Sequence, residues 1–235
     1  MSRSLWRSAG RTARGRARER NEDAFLDCPQ RGCWAVADGM GGHRAGDVAS
    51  QWVVSSLASL SGRGSLNQRV EGVRRCLRSL DGQLGQVGLP DIMGSTVVAL
   101  LLEGSRAACI WAGDSRCYLW RGQRLYQLSR DHSLLQQLMD KQQLSLEQAL
   151  AQPGARALTR AIGARQPLSL EVLELDTYPG DVFLLCSDGL YQNLSHGDLG
   201  RAMGAGTPQH VVSRLFHDVL RGPAGDDLTA VVVQS

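Results

Sequence analysis

The chain has 235 residues, 43% of them hydrophobic and 21% charged, with a formal net charge of +3. These are the proportions of an ordinary globular protein, and they exclude a wholly disordered chain, a collagen and a membrane bundle; the longest apolar run, residues 97–102, is far short of a bilayer span. A chain of this length makes one sizeable domain or two small ones and buries roughly 70–75% of its unfolded surface, so it needs no disulfide or structural metal to fold.

Seven arginines punctuate the first twenty residues: Arg3, Arg7, Arg11, Arg14, Arg16, Arg18 and Arg20. No apolar stretch follows them, so this is not a secretory signal. A basic arm can touch nucleic acid or an acidic membrane surface. However, Trp6 stands alone, and the interleaved aromatics of a single-strand binder are missing. The plainer reading is a solvated or locally paired strand. Lys141 is the single lysine among 26 basic residues, a bias that points to a GC-rich bacterial genome more than to a function.

A buried strand is predicted over 34–37. Two amphipathic helices follow, over 43–60 and 66–84, each with apolar residues at a 3.6-residue period; the first series is Ala45, Val48, Ala49, Trp52, Val53, Leu57 and Leu60. Strands are then predicted over 95–102, 106–111, 116–120 and 125–128, joined by short turns that imply antiparallel hairpins. The segment 136–157 is glutamine-rich and broken by Pro153-Gly154, and reads as a helical flap or a surface insertion. Further strands fall over 168–175, 182–186 and 228–233. A third helix runs over 208–221, with Thr207 as its N-cap, Pro208 in its first turn and Gly222 as its stop. This order is not the βαβ alternation of a parallel sheet. It predicts antiparallel sheets covered by helices, an α+β sandwich, in a single domain over 1–235. The six cysteines (Cys28, Cys33, Cys76, Cys109, Cys117 and Cys186) contain no C-x-x-C pair and read as reduced thiols of a cytoplasmic protein.

The acidic residues fall at strand boundaries. Asp38 closes the run at 34–37 and precedes Gly39, Asp114 follows 110–113, and Asp188 follows 182–187 and precedes Gly189. Asp226 and Asp227 precede 228–233, and Glu22 and Asp23 precede 24–26. Carboxylates gathered in one place cannot all stay ionised without cations. An oxygen-rich cluster suits hard ions such as Mg²⁺ or Mn²⁺, and two such ions roughly 3.5–4 Å apart serve phosphoryl chemistry. The competing reading is that each Asp-Gly is an ordinary turn. Spacing alone does not decide between them.

Eight segments, in order, carry a likeness: Arg18-Glu19-Arg20-Asn21-Glu22-Asp23, Val36-Ala37-Asp38-Gly39-Met40-Gly41-Gly42-His43, Gly94-Ser95-Thr96, Trp111-Ala112-Gly113-Asp114-Ser115-Arg116, Ser129-Arg130-Asp131-His132-Ser133, Leu158-Thr159-Arg160-Ala161-Ile162-Gly163, Leu185-Cys186-Ser187-Asp188-Gly189-Leu190 and Asp226-Asp227-Leu228-Thr229. Together the sequence resembles the metal-dependent protein serine/threonine phosphatases of the PP2C (PPM) type, in their bacterial form. The resemblance implies a β-sandwich of two antiparallel sheets flanked by helix pairs, a four-layer α-β-β-α arrangement with two metal ions, Mn²⁺ or Mg²⁺, at one end. It implies that Asp38 bridges the two ions, that Asp188 and Asp226 bind one, and that the Gly39 carbonyl binds the other. Asp114 matches the position of a third, weaker ion. Glu22 and Asp23 match residues that orient metal-bound waters, and Arg18 matches the arginine that grips the substrate phosphate, a task suited to a bidentate guanidinium.

The implied activity is hydrolysis of phosphoserine and phosphothreonine in proteins by direct attack of a water activated between two metals. The implied setting is a cytoplasmic monomer opposing a eukaryotic-like serine/threonine kinase, with no nucleic-acid or membrane partner. Small members of this kind also occur beside such kinases in type VI secretion systems. Eukaryotic members carry a histidine directly after the Asp-Gly; here that position is Met40, which has no proton to give, so the leaving-group proton is expected from a metal-bound water. His43 reads as a helix-start residue, Asp227 as a partner of local backbone, and Asp131-His132-Ser133 as a turn and not a catalytic relay. Two rivals stand beside the phosphatase. One is a catalytically silent binding protein that kept the fold; the other is a two-metal nuclease, prompted by the arginine-rich start.

Overall fold

The computed structural model describes residues 6–41, 45–87, 93–164 and 167–234. In chain order the strands are β1 (Arg7–Ala13), β2 (Asp23–Cys28), β3 (Cys33–Gly41), β4 (Met93–Ser95), β5 (Val97–Glu103), β6 (Arg106–Ala112), β7 (Arg116–Arg121), β8 (Arg124–Gln127), β9 (Glu171–Asp176), β10 (Val182–Cys186) and β11 (Leu228–Gln234). The helices are α1 (Gly46–Ser59), α2 (Leu66–Val87), α3 (Leu134–Gln142), α4 (Leu146–Leu150), α5 (Asp188–Tyr191), α6 (His196–Met203) and α7 (Pro208–Leu220). One antiparallel sheet has the order β1-β11-β10-β7-β8; the other has β2-β3-β5-β6-β9, with β4 paired to the end of β3.

The two-residue period of a strand decides which layer each side chain joins. Trp34, Val36, Val98, Leu100, Cys109 and Trp111 point from one sheet into Cys117, Leu119, Phe183, Leu185, Val231 and Val233 of the other, and all are buried. Their neighbours Ala35, Ala37, Val97, Ala99, Ala108 and Ile110 point outward and pack under Val53 and Leu57 of α1 and Leu66, Val73, Leu77 and Leu84 of α2. The small alanines let α1 lie close on the sheet. On the opposite outer face Leu184, Cys186, Ala230 and Val232 pack with Leu199 and Met203 of α6 and Val211, Leu215, Phe216 and Val219 of α7. The result is the expected four-layer α-β-β-α sandwich. Each fully buried Leu, Val or Phe contributes about 1.5–3 kcal/mol before the entropy cost of ordering the chain.

The first arginines belong to β1, a paired strand as their plainer reading expects, running against β11 from Arg7↔Gln234 to Ala13↔Leu228. Charged residues suit such an edge strand, since they deter pairing with other chains. Arg11 lies over the Phe216 ring, 4.6 Å from its centre. Arg3 lies outside the described residues, as do His43 and Arg44 at the expected start of α1. Other details differ from the sequence expectation. Val48 and Trp52, expected on the buried face of α1, are each 38% exposed. The buried stripe is Gly46, Ala49, Ser50, Val53, Val54 and Leu57, a strict three-and-four spacing that leaves positions 48 and 52 off to one side. The strand expected over 168–175 begins only at Glu171. Thr207 caps α7 by accepting from the His210 N–H, and the helix ends at Leu220, short of Gly222. No helix among the described residues is long and apolar enough to cross a membrane.

Candidate active site

Neither Asp-Gly pair is a turn. β3 runs straight through Asp38 and Gly39 to Gly41. Asp188 is the first residue of α5. The glycines serve close backbone approach instead: a Cβ on Gly39 would lie 1.9 Å from the Gly46 carbonyl oxygen, and one on Gly189 would lie 2.0 Å from that of Asp227. Gly39 lets the start of α1 press on β3, and Gly189 lets α5 press on the approach to β11.

The main chain of Asp38 is fixed from both sides. Its N–H donates to Thr96 Oγ1 at 3.0 Å, and its carbonyl accepts from the Thr96 N–H at 2.9 Å and the Ser95 hydroxyl at 3.1 Å. The Thr96 and Ser115 hydroxyls share a 2.7 Å hydrogen bond. Antiparallel pairing does the rest. Asp23 stands opposite Asp38, Ala112 opposite Val97, and Cys186 opposite Ala230. Strand ends carrying acids from both sheets therefore meet at one end of the sandwich.

There they enclose a cavity of about 270 Å³. It is lined by Arg18, Glu22, Asp38, Gly39, Asp114, Asp188 and Asp226, together with Met40, Gly41, Thr96, Arg156 and Leu158. Seven of the eight expected site residues are thus on one cavity. The exception is Asp23, which is buried and accepts from the Ser187 hydroxyl at 2.7 Å and from the Thr229 side chain. Arg156 was missed. It sits in the glutamine-rich segment where no periodicity guides the reading, and no family-like motif includes it.

Arg18 does not project freely into the cavity. Its Nε and Nη2 donate to the two carboxylate oxygens of Asp226, each at 2.8 Å. The Asp227 carboxylate accepts from the main-chain N–H groups of Gly15 and Glu22, both at 2.8 Å. It does bind backbone, but backbone more than 200 residues away, and so it fixes Glu22 in place. A second layer holds Asp114: the Tyr191 hydroxyl donates to its carbonyl at 3.1 Å, Arg116 stacks 3.6 Å over the Tyr191 ring, and Asp131 grips Arg116 through bonds of 2.8 and 2.6 Å. Asp131, His132 and Ser133 form no relay. His132 Nδ1 accepts from the Gly113 N–H at 3.2 Å while Nε2 faces Glu171 at 3.1 Å, and Ser133 caps α3.

The electrostatics match crowded acids. Burial, then the charges of Asp23, Asp188, Asp114 and Asp226, hold the Asp38 carboxyl well above the usual carboxylate range. Burial and neighbouring carboxylates push Asp23 and Asp114 up to about 7. Burial also raises Glu22 and Asp188, and the charges of Arg156 and Arg18 draw Asp188 partly back. Among the described residues no three His, Cys, Asp or Glu side chains form a closed ion-binding cluster as they stand, and both Asp226 oxygens are engaged by Arg18. The donor set nevertheless fits hard divalent cations. It is all oxygen, it is negatively charged, and its members raise one another's proton affinity, which a cation would relieve.

This makes a pH-dependent prediction. Asp23, Asp38 and Asp114 have folded pKa values above their unfolded values near 3.9. Their stabilising contribution is complete below the unfolded values and is lost as pH rises through the folded ones, about 7 for Asp23 and Asp114. The Tm of chelator-treated protein should therefore fall as pH rises from about 4 to about 7. His132, lowered by burial, works in the opposite sense only below about pH 6.5. Adding Mn²⁺ should flatten the fall, and titration calorimetry at about pH 6.5 should register proton release as a buffer-dependent enthalpy that shrinks as pH rises past about 7. A flat Tm with no proton release would refute the crowding.

Comparison with known proteins follows the same lines. The family model described as protein phosphatase 2C matches residues 10–221. The serine/threonine protein phosphatase PstP of Mycobacterium tuberculosis is 34% identical over 232 residues, which is 96% of this chain and 44% of that protein; the chain thus spans less than half the length of this relative. Among solved structures, PppA, described as a key regulatory component of T6SS in Pseudomonas aeruginosa, is similar with a TM-score of 0.90 and 41% identity, over 98% of both chains. The catalytic domain of serine/threonine protein phosphatase PstP in complex with two manganese ions is similar with a TM-score of 0.85 and 32% identity, over 97% of both chains.

Proposed function

The chain belongs to the protein phosphatase 2C family, and on that premise we propose that it hydrolyses phosphoserine and phosphothreonine in proteins with the help of two divalent cations, Mn²⁺ or Mg²⁺. The observation that carries this reading is the cavity on which Arg18 meets Glu22, Asp38, Gly39, Asp114, Asp188 and Asp226. A pair of divalent cations supplies Lewis acidity there, acidifying water and offsetting charge on the phosphoryl oxygens. Asp38 would be shared by the pair, Asp188 and Asp226 would hold one ion, the Gly39 carbonyl would hold the other, and Asp114 would hold a weaker third. Glu22, on the cavity wall, orients the attacking water. Asp23 acts from behind, through Ser187, as a support of the β2 and β10 ends. Arg18 takes the phosphate oxygens, exchanging its bonds to Asp226 for them. Met40 has no proton to donate, so protonation of the leaving oxygen falls to water.

The chain is one catalytic domain over 1–235, a span supported by the match across 10–221. The similarity to PppA over 98% of both chains supports a place in the control of a type VI secretion system, opposite a serine/threonine kinase. The nuclease rival loses its main prompt, because the basic start is engaged within the chain: Arg14 and Arg16 donate to the carbonyls of Glu19 and Leu220, and Arg18 to Asp226. The test is release of phosphate from a phosphothreonine peptide. We expect turnover with Mn²⁺ added and none with EDTA. Turnover that survives EDTA would sink the metal-dependent reading, and Mn²⁺ binding with no turnover on any phosphopeptide would favour the silent binder.

A further inference from the structure

Five carboxylates line the cavity, those of Glu22, Asp38, Asp114, Asp188 and Asp226, and the arginines among them are Arg18 and Arg156. A phosphorylated side chain brings about two more negative charges. It needs a cation whose hydrogen bonds are not already taken. Arg18 is committed to Asp226 through both edges of its fork. The arginines around the segment after α3 are committed as well, Arg116 to Asp131, Arg130 to Asp140 and Arg160 to Glu171. Arg156 makes no hydrogen bond or ion pair with any described residue.

Its side chain is exposed, yet its root is firmly held. Ala155 is buried, and the Leu135 N–H donates to its carbonyl at 2.6 Å. The Leu134 N–H donates to the Ala157 carbonyl at 2.9 Å, and Leu158 bridges to Ser133. The backbone is pinned on both sides of an uncommitted guanidinium. That charge also reaches the acidic floor, where it partly offsets the raised proton affinity of Asp188.

We propose that Arg156 is a substrate-binding residue that donates to the phosphate oxygens of the phosphorylated side chain, as a second grip beside Arg18. The proposal rests on the reading of the cavity as a phosphoprotein phosphatase site. It places phosphate recognition partly in a segment far in sequence from the metal-binding candidates. A planar five-donor fork on a fixed root suits a tetrahedral anion that must be held in one orientation.

The test compares wild type, Arg156→Ala and Arg156→Lys, all with Mn²⁺, on a phosphothreonine peptide, with inorganic phosphate as competitive inhibitor. In Arg156→Ala, KM and the inhibition constant for phosphate should both rise about tenfold, with kcat changed less than about threefold. Tm should change little, since the side chain makes no hydrogen bond or ion pair with a described residue. Arg156→Lys should recover part of the loss, because lysine keeps the charge but not the fork. Unchanged KM and phosphate inhibition in Arg156→Ala would overturn the proposal. So would a raised KM with unchanged phosphate inhibition, which would place Arg156 on the peptide and not on the phosphate. If the wild type turns over no phosphopeptide, the phosphatase reading fails by itself. Calorimetric binding of inorganic phosphate to the Mn²⁺-loaded protein, wild type against Arg156→Ala, still decides the role of Arg156.

Discussion

Replacing Asp38 by asparagine should abolish turnover while making the metal-free protein harder to unfold. The side chain keeps its shape and loses its charge. With Asp38 proposed as the residue shared by two cations, we expect kcat/KM to fall by about 10³-fold or more. Stability should move the other way. The Asp38 carboxyl is buried among Asp23, Asp188, Asp114 and Asp226, and that crowding already raises its pKa. A neutral amide removes the repulsion at the price of amide N–H donors that need acceptors. A gain of about 1 kcal/mol corresponds to roughly 2–4 °C in Tm for a domain of this size. The gain should be largest at about pH 8, where the neighbouring carboxyls are ionised, and should vanish below about pH 4. Thermal melts in EDTA beside steady-state rates in Mn²⁺ make the comparison. Wild-type turnover, or a lower Tm at pH 8, would show that Asp38 is neither the bridge nor the crowded group.

Arg18→Ala should shift two binding constants in opposite directions. Without the guanidinium a phosphorylated substrate loses a charge-assisted grip of about 1.5–3 kcal/mol, so kcat/KM should fall by about 10- to 100-fold. Cation binding should tighten, because both oxygens of Asp226 are freed from hydrogen bonds of 2.8 Å. The pair is partly exposed, with side chains 46% and 39% accessible. An exposed pair is worth about 0.2–1 kcal/mol, so the tightening should be no more than about fivefold. Calorimetry with Mn²⁺ measures it without any substrate. Weaker Mn²⁺ binding in the variant would mean that Arg18 aims Asp226 at the cation instead of competing with it.

Much of this was legible in the residues. The alternation of Trp34, Ala35, Val36 and Ala37 announces a strand with two buried faces, and a strand covered on both sides must lie inside a layered fold. The acids at 38, 114, 188 and 226 announced themselves by position, each at the boundary of a buried run. What kept spacing from deciding was the glycine after Asp38 and Asp188. Asp-Gly is common in turns, whereas here the glycines answer contacts with Gly46 and Asp227, residues that only the folded chain brings near. β1 was obscured because an edge strand needs few apolar residues; only Ala9 of its seven side-chain-bearing and glycine positions is buried. α6 has only eight residues, too few for its capping box, Ser195 with Asp198, and its short stripe of Leu199, Ala202 and Met203 to stand out. Arg156 left no local signal, since its significance comes from the backbone bonds that hold its root and from the pairing of Arg116, Arg130 and Arg160.

The position of β11 carries a consequence for how the molecule comes into being. It is the last strand in chain order, yet it lies between β1 and β10, and it delivers Asp226 and Asp227 to Arg18, Gly15 and Glu22. These contacts join residues more than 200 positions apart, the kind of pairing that slows folding because the intervening chain must be closed first. On a ribosome the first sheet stays open at its middle until β11 has emerged, and the edges of β1 and β10 remain unpaired meanwhile. The sheet and the acidic pocket are therefore completed by one late event. A nascent chain can own every other strand and still hold no working centre.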